Sequence, residues 1–307
     1  MYILLNPEAG GGRALKRWAS IEAEVTRRIG PFDMDTAAGS LVIRACVERA
    51  MDRGETEFIA GGGDGTVNAV MSALVEHAPR PLLASVRLGA IGLGSSNDFH
   101  KPLAPDRSIA GIPVRIDFGH TTPGDVCTID YVDSLDRFSR CEWLINSSLG
   151  TAAAANHIFN HPDAVLKRLK RMAPASAMVY AAARAVLGFR PQVLQIRVGG
   201  ESLRVRARNL GIIKRPAFSG SLSYGTRRPA RGRFGVHLIG DVGLARLGLV
   251  AWRLLHGRFE GLGTRSWSTT EVSIRAAHPF AVERDGEIIW TKAATYRVLP
   301  EAIQLCC

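Results

Sequence analysis

No stretch of this 307-residue chain approaches the roughly 18 consecutive apolar positions that a membrane-spanning helix requires. Cysteine is scarce too. The five that occur, Cys46, Cys127, Cys141, Cys306 and Cys307, form no Cys-x-x-Cys pair and no metal-ligand spacing with histidine. A scattered, odd-numbered set fits reduced thiols and points to a cytoplasmic location. The opening MYILLNPEAG has neither the basic leader nor the apolar length of a secretory signal. Acidic residues are outnumbered, 28 against 39 Lys and Arg, which leaves a net charge of +11. Such a surface attracts polyanions. Zinc-finger, helix-turn-helix and RNP-like signatures are all missing, so no nucleic-acid partner is expected. The readings left for the charge are a solvated basic face or peripheral attraction to an anionic membrane.

What is present describes an ordinary globular protein of two domains, with 46% apolar and 22% charged residues. Up to about residue 118, strand and helix signals alternate. Strands are expected at Tyr2–Leu5, Phe32–Thr36, Phe58–Ala60 and Leu88–Ile91, and helices at Arg13–Ile29, Leu41–Arg53 and Thr66–His77. Alternation of this kind predicts a parallel, Rossmann-like sheet with ligands at the carboxyl ends of its strands. Beyond residue 120 short alternating segments predict antiparallel strands. They fall at Glu142–Asn146, Val193–Val198, Ser202–Ala207, Asn209–Ile213, Arg233–Ile239, Glu271–Ala276, Phe280–Glu283 and Tyr296–Leu299. Helices are expected at Asp163–Leu187 and Gly243–His256. The second is basic and amphipathic, so it either packs on its own sheet or lies on a membrane. Basic clusters stand at Lys167–Arg171, Arg204–Arg208 and Arg227–Arg233.

The richest stretch is Phe58–Leu74, FIAGGGDGTVNAVMSAL. Glycines at a strand-to-helix turn let the backbone approach a ligand closely, and the helix behind them aims its unpaired N–H groups and positive dipole end at the turn. That is a phosphate cradle. It lacks the Walker A lysine and does not fit GxGxxG. The alternative reading of the turn taken alone is a glycine-rich turn without a ligand. Two further strand-end loops join it, Asn6–Gly12 (NPEAGGG) and Gly92–Phe99 (GLGSSNDF), together with the Asp-Gly turn Glu283–Glu287 (ERDGE).

In this order the motifs resemble the lipid kinase family built on the diacylglycerol kinase catalytic domain, which includes bacterial diacylglycerol kinases and sphingosine kinases and is distantly related to NAD kinases. N-P-x-x-G corresponds to Asn6–Gly10, G-G-D-G-T-x-N to Gly62–Asn68, the P-x-G-T-x-N-D-F loop to Gly92–Phe99, with Gly92 and Ser95 where the family usually has Pro and Thr, and D-G-E to Asp285–Glu287. The resemblance implies an α/β nucleotide-binding domain, 1–119, rejoined by 290–307. It implies also an antiparallel β-sandwich lipid-binding domain, 120–289, with an active-site cleft between the two.

The implied activity is ATP-dependent phosphorylation of a lipid hydroxyl, on diacylglycerol, a sphingoid base or a related alcohol, at an anionic membrane surface. Dimers occur in such a family, so a homodimer is one expected assembly. Gly62, Gly63, Asp64, Gly65 and Thr66 would hold the ATP phosphates, with Asn6, Thr36, Asn68, Ser95 and Asn97 around them. Asp64 and Asp117 would meet the Mg²⁺ carried with ATP, and Glu287 would take the proton of the attacking hydroxyl. Asp98 is either a ligand or the cap of a helix beginning near Phe99. The chain departs from the pattern at Ala230–Gly235 (ARGRFG), where the family's acidic D-D-G-x-L-D run holds a structural magnesium. No structural magnesium is expected there. Two alternatives stay open: a nucleotide- or lipid-binding protein without turnover, and a NAD kinase-like small-molecule kinase.

Overall fold

The structure, a computed structural model, describes every residue except 102–104, 134, 219–221, 226–228 and 262. Part of the expected Arg227–Arg233 cluster therefore lies outside the described residues. The chain divides into two compact units, Met1–Val126 with Leu299–Cys307, and Cys127–Val298. The division falls at 126/127 and 298/299 rather than 119/120 and 289/290. Both observed divisions fall within unbroken strands, Thr121–Val132 and Glu287–Cys306, and the second of these also runs through the expected boundary at 289/290.

In the first unit, β1 (Tyr2–Leu5), β2 (Asp33–Thr36), β3 (Glu57–Gly62) and β4 (Arg87–Gly92) pair in parallel in the order β2-β1-β3-β4. Every residue of β1 is buried, at 1% exposure or less, as a strand covered on both faces by helices must be. Gln304 and Leu305 add a parallel pairing to the outer edge of β4. Beside it β5 (Ser108–Ile109) and β6 (Ile112–Arg115) form an antiparallel pair, with β6 also antiparallel to β4. The helix expected at Arg13–Ile29 is two, Ala14–Ala19 and Glu22–Ile29, because Ile21 leaves helical geometry (φ −126°, ψ −11°). The break lets Trp18, Ile21 and Val25 all bury against Ile3, Leu5, Ile59 and Ile91.

The second unit is built on β7 (Thr121–Val132), β8 (Phe138–Trp143), β9 (Asn146–Gly150), β10 (Gln192–Val198) and β11 (Glu201–Ile213). After the short pair β12 (Ala217–Phe218) and β13 (Leu222–Ser223) come β14 (Phe234–Gly240), β15 (Thr264–Thr269), β16 (Glu271–Arg284) and β17 (Glu287–Cys306). Long strands replace several expected pieces. Ser202–Ala207 and Asn209–Ile213 are one strand with a bulge between Ala207 and Asn209. Likewise β16 absorbs Glu271–Ala276 and Phe280–Glu283, with a register shift between Arg275 and Phe280. By contrast the expected strand Glu142–Asn146 is split, since β8 ends at Trp143 and β9 begins at Asn146.

Strands β9 and β10 share one lane of this antiparallel sheet. Each pairs with β11 on one side and β16 on the other, β10 through their early residues and β9 through their later ones. The sheet curls far enough that Trp143 of β8 meets Phe234 of β14 at 6.1 Å and Tyr296 of β17 at 6.2 Å between ring centroids. Inside the curl lies one apolar core that includes Cys127, Leu210, Ile212, Val236, Ile274 and Val282. The long helix expected at Asp163–Leu187 is broken at Ala173 into Ala164–Met172 and Pro174–Gly188, as the proline dictates. A further helix, Thr151–Asn160, was not expected, because TAAAANHIFN shows little apolar periodicity. Helix Leu244–Leu255 buries Leu247, Val250 and Leu254 and leaves Leu244, Trp252 and Leu255 more than half exposed.

Candidate active site

Because β1, β3 and β4 are parallel, the loops that leave them emerge at the same edge of the sheet. They are stitched together there. Asn6 donates its backbone N–H to Gly61 O (2.8 Å) and its side-chain amide to Thr66 Oγ1 (3.0 Å). Leu93 N and Gly94 N both donate to Gly62 O, at 2.8 and 3.2 Å. Asn97, in the left-handed region at φ 51°, closes its own loop by donating to Gly92 O and Gly94 O and accepting from Gly94 N. Contact between the loops is backbone to backbone. A Cβ on Gly94 would stand 2.4 Å from Gly63 Cα, and one on Gly62 would stand 2.3 Å from Thr66 Oγ1. In the first loop Gly10, Gly11 and Gly12 hold successive φ values of 62°, 71° and 80°.

Helix Asp64–His77 begins inside this cradle, so the positive end of its dipole faces the enclosed space. Asp64, its first residue, accepts the N–H of Phe99 at 2.9 Å and thereby ties the second loop to the third. Burial pushes the Asp64 carboxyl above the usual carboxylate range; the nearby charge of Asp98 adds to this, and the Phe99 amide opposes it. Asp98 is itself buried, accepting from Ser96 Oγ at 2.7 Å and paired with Lys101. It is the first residue of the turn Asp98–His100, and Asn97 occupies the cap position. A brace invisible to motif reading is Arg17, whose guanidinium donates to Leu93 O (2.9 Å) and Gly94 O (3.3 Å) from helix Ala14–Ala19. In sequence it is one more basic residue on an amphipathic helix.

The other expected nucleotide contacts divide by exposure. Thr36, Gly65 and Ser95 are exposed, whereas Thr66 and Asn68 are buried, Asn68 at 1%. The Asn68 side chain therefore belongs to the packing of the helix. Asp117 stands apart as an exposed turn residue. Its Oδ1 accepts from Gly119 N and His120 N, and its Oδ2 meets His120 Nδ1 at 2.8 Å. That histidine holds the Asp117 carboxyl below the usual range. Among the described residues no three His, Cys, Asp or Glu side chains gather into a metal cage.

In the second unit the Asp-Gly turn is a two-residue hairpin loop. Arg284 and Glu287 are paired across it, and Asp285 (φ 42°) and Gly286 (φ 99°) form its tip. Its three carboxylates point to different places. Glu283 is buried, accepting from Gly286 N and Ser148 Oγ, each at 2.8 Å. Asp285, 3% exposed, accepts the backbone N–H groups of Leu144 (2.7 Å), Ile145 (3.1 Å) and Asn146 (2.9 Å). Glu287 alone reaches solvent, with 43% of its side chain exposed and an ion pair to Arg284 at 2.7 Å.

The same unit contains a largely apolar cavity of about 390 Å³, lined by Leu149, Ile158, Phe189, Leu194, Phe280 and Trp290 among others. Its polar groups are few, chiefly His157, Arg184 and Asn209. Helix Thr151–Asn160 supplies one wall and also holds the hairpin tip, where Asn160 Nδ2 donates to Gly286 O at 2.9 Å. The Ala230–Gly235 segment is a turn closed by Arg233 N donating to Ala230 O, with Lys214 Nζ donating to Arg233 O at 2.6 Å. Cations occupy the place of the acidic run.

Residues 1–129 match the family model of the diacylglycerol kinase catalytic domain. The chain is 41% identical over 80 residues to a diacylglycerol kinase of Staphylococcus epidermidis, and 39% over 79 residues to one of Staphylococcus aureus. These segments are 26% of this chain and only 23–24% of the relatives' lengths. Among solved structures, a diacylglycerol kinase from Bacillus anthracis str. Sterne superposes with a TM-score of 0.67 at 16% identity, covering 99% of this chain and 95% of that one. Another structure from the same organism reaches 0.73 at 16% identity, covering 99% and 94%. Yeast NADH kinase gives 0.50 at 12%, covering 100% and 82%. At these identities the superpositions speak for the two-domain fold that this chain shares with both kinds of kinase.

Proposed function

We propose, on the premise that residues 1–129 belong to the diacylglycerol kinase catalytic-domain family, that this chain transfers the γ-phosphate of ATP to a lipid hydroxyl. The observation that carries the reading is the cradle: three strand-end loops hydrogen-bonded to one another around the start of helix Asp64–His77. Phosphoryl transfer asks a protein mainly to hold the phosphates, balance their charge and position the attacking oxygen. Close-packed glycines and a helix N-terminus suit the first task. Exposed Ser95 and Thr36 add hydroxyls within the same unit.

Glu287 is the candidate base, half-exposed and held in one direction by Arg284. The 390 Å³ cavity suits the hydrocarbon of the acceptor, which is diacylglycerol, a sphingoid base or a related long-chain alcohol. Magnesium carried with ATP would supply neutralising charge and usually needs only one or two protein carboxylates. Asp64 fits that demand from its place in the cradle. Asp117 fits it less well, because its own turn occupies both oxygens. The net charge of +11 supports attraction to an anionic membrane surface, where such an acceptor resides.

The deciding experiment is radiolabelled phosphate transfer from ATP with magnesium to mixed micelles of diacylglycerol or sphingosine, with Glu287→Gln beside the parent. We expect one lipid to be labelled, and the variant to bind ATP normally while losing roughly 10²- to 10⁴-fold in rate, the usual weight of a positioned base. A parent that binds ATP yet labels no lipid would instead be a nucleotide-binding protein without turnover.

A further inference from the structure

On the outer side of the second unit's sheet, polar and basic side chains alternate in register across three neighbouring strands. Gln195 and Arg197 of β10 lie opposite Arg275 and Ser273 of β16, and Ser273 in turn lies opposite Thr295 of β17, two positions before Arg297. The residues between them, such as Ile196, Ile274 and Tyr296, point the other way into the core. With the β7–β8 hairpin as a wall, this face encloses a concavity of about 330 Å³. It shares no lining residue with the apolar cavity and contains none of the motif residues.

Its three arginines differ in their partners. Arg297 is engaged by Asp130 and, at 2.8 Å, by Glu271; Asp130 is held also by Arg140 at 2.5 Å. These cations keep the Asp130 carboxyl below its usual range, Arg140 contributing most, so the one acid in the concavity is already neutralised. Arg197 and Arg275, both exposed, have no ion-pair partner among the described residues, and Arg204 lies next to them opposite Gln195. Ser273 and Thr295, bonded to each other at 3.1 Å, add hydroxyls between the guanidinium groups. Two unpaired cations in a recess, walled on one side by Tyr131 and Phe138, focus field on a small volume.

We propose that this concavity binds a phosphate-bearing anion. A guanidinium matches phosphate oxygens two at a time, and hydroxyl donors complete the shell. The volume, near the low end of the roughly 300–1,000 Å³ of ligand pockets, suits a headgroup or a small phosphate ester. Phe138, 71% exposed at the rim, and Leu135, 68% exposed in the same hairpin, favour a lipid headgroup over a free ester. The site does not depend on the kinase reading and can be tested without turnover.

The experiment compares the full chain with Arg197→Gln/Arg275→Gln and with a control, Lys167→Gln/Arg168→Gln, which removes two exposed charges elsewhere. One arm titrates sn-glycerol 3-phosphate by calorimetry. The other co-sediments protein with phosphatidylglycerol vesicles against phosphatidylcholine ones. We expect the arginine pair to lose about tenfold or more per guanidinium removed, the usual weight of a charge-assisted hydrogen bond, with unchanged thermal unfolding. Binding in the vesicle arm alone marks a lipid headgroup as the ligand, and binding in the calorimetric arm marks a free ester; either supports the site. The proposal is overturned if the parent binds neither anion, or if the arginine variant loses no more than the control.

Discussion

Asp285→Ala should unfold the second unit far more readily than loss of a single turn residue would suggest. The chain bends between β8 and β9 at Leu144 and Ile145, and three consecutive amides, those of Leu144, Ile145 and Asn146, donate to the one Asp285 carboxylate. Leu144 and Ile145 are buried, at 3% and 1%, so water does not reach these donors in the native state. Alanine removes every acceptor at once. An unsatisfied buried N–H costs about 1–3 kcal/mol, and the cavity left by the carboxylate admits water to relieve part of the loss. The expected destabilisation is therefore roughly 3–6 kcal/mol, a large share of the roughly 5–15 kcal/mol that holds a domain together.

Asparagine at the same position keeps one acceptor but turns an NH₂ group toward a donor, so it should recover less than half. Four of the five tryptophans, Trp143, Trp252, Trp267 and Trp290, lie in the second unit, and urea unfolding followed by their fluorescence reports mainly on it. The midpoint should fall with little change in m. Hydrogen exchange gives the local readout, because the amides of Leu144, Ile145 and Asn146 should lose protection together. A loss under about 1 kcal/mol, or unchanged protection at those three amides, would refute the reasoning.

Two further perturbations test the cradle and the aromatic cluster around His237. Gly94→Ala forces a Cβ to within 2.4 Å of Gly63 Cα, so the loops must part; we expect ATP affinity, measured by calorimetry, to fall at least about tenfold, with a stability loss of about 1–3 kcal/mol. An Ala variant that binds ATP like the parent would show that the close approach is dispensable. His237, stacked on Tyr224 at 4.3 Å and edge-on to Phe259, is pushed down to about 4 by burial. An imidazole kept neutral in the fold but titrating near 6.5 when unfolded stabilises fully above pH 6.5, and that stability drains away as pH falls toward 4. Discounted for partial solvent contact, the loss is about 1–3 kcal/mol, visible as a thermal midpoint that drops between pH 7 and pH 4.5 and drops less in His237→Gln. Identical pH profiles for the two proteins would contradict it.

Where local rules decide structure, the amino-acid sequence was legible. The strand at Tyr2–Leu5 is an unbroken apolar run because helices cover both its faces, and glycines stand at strand ends because the loops there pack backbone to backbone. Proline at 174 should have marked the break at Ala173, whereas nothing periodic in TAAAANHIFN marks helix Thr151–Asn160. What could not be read is what joins residues far apart in the chain. Asn6 reaches Thr66 and Arg17 reaches Leu93, yet neither separation has a pattern to detect. The shared lane of β9 and β10 is of the same kind, since it depends on two strands offering partners at both ends.

The Asp-Gly-Glu turn shows how a motif can be read correctly as a turn and incompletely as chemistry. A two-residue hairpin loop with left-handed residues at its tip calls for Asp-Gly, and that much is local. Conformation alone would accept Asn at the first position equally well. Asp is the better residue because three amides of the β8–β9 connection converge on it, so its acceptor-only carboxylate has no donor to misdirect. Arg284, at the base of the loop, then ties the turn to β8 by donating to Glu142 O at 2.9 Å while its other nitrogen holds Glu287. The direction of Glu287 is thus set by a network whose anchor is Asp285. Loss of Asp285 should therefore lower turnover in molecules that remain folded, and it should do so through the placement of Glu287 rather than through any contact of its own with substrate.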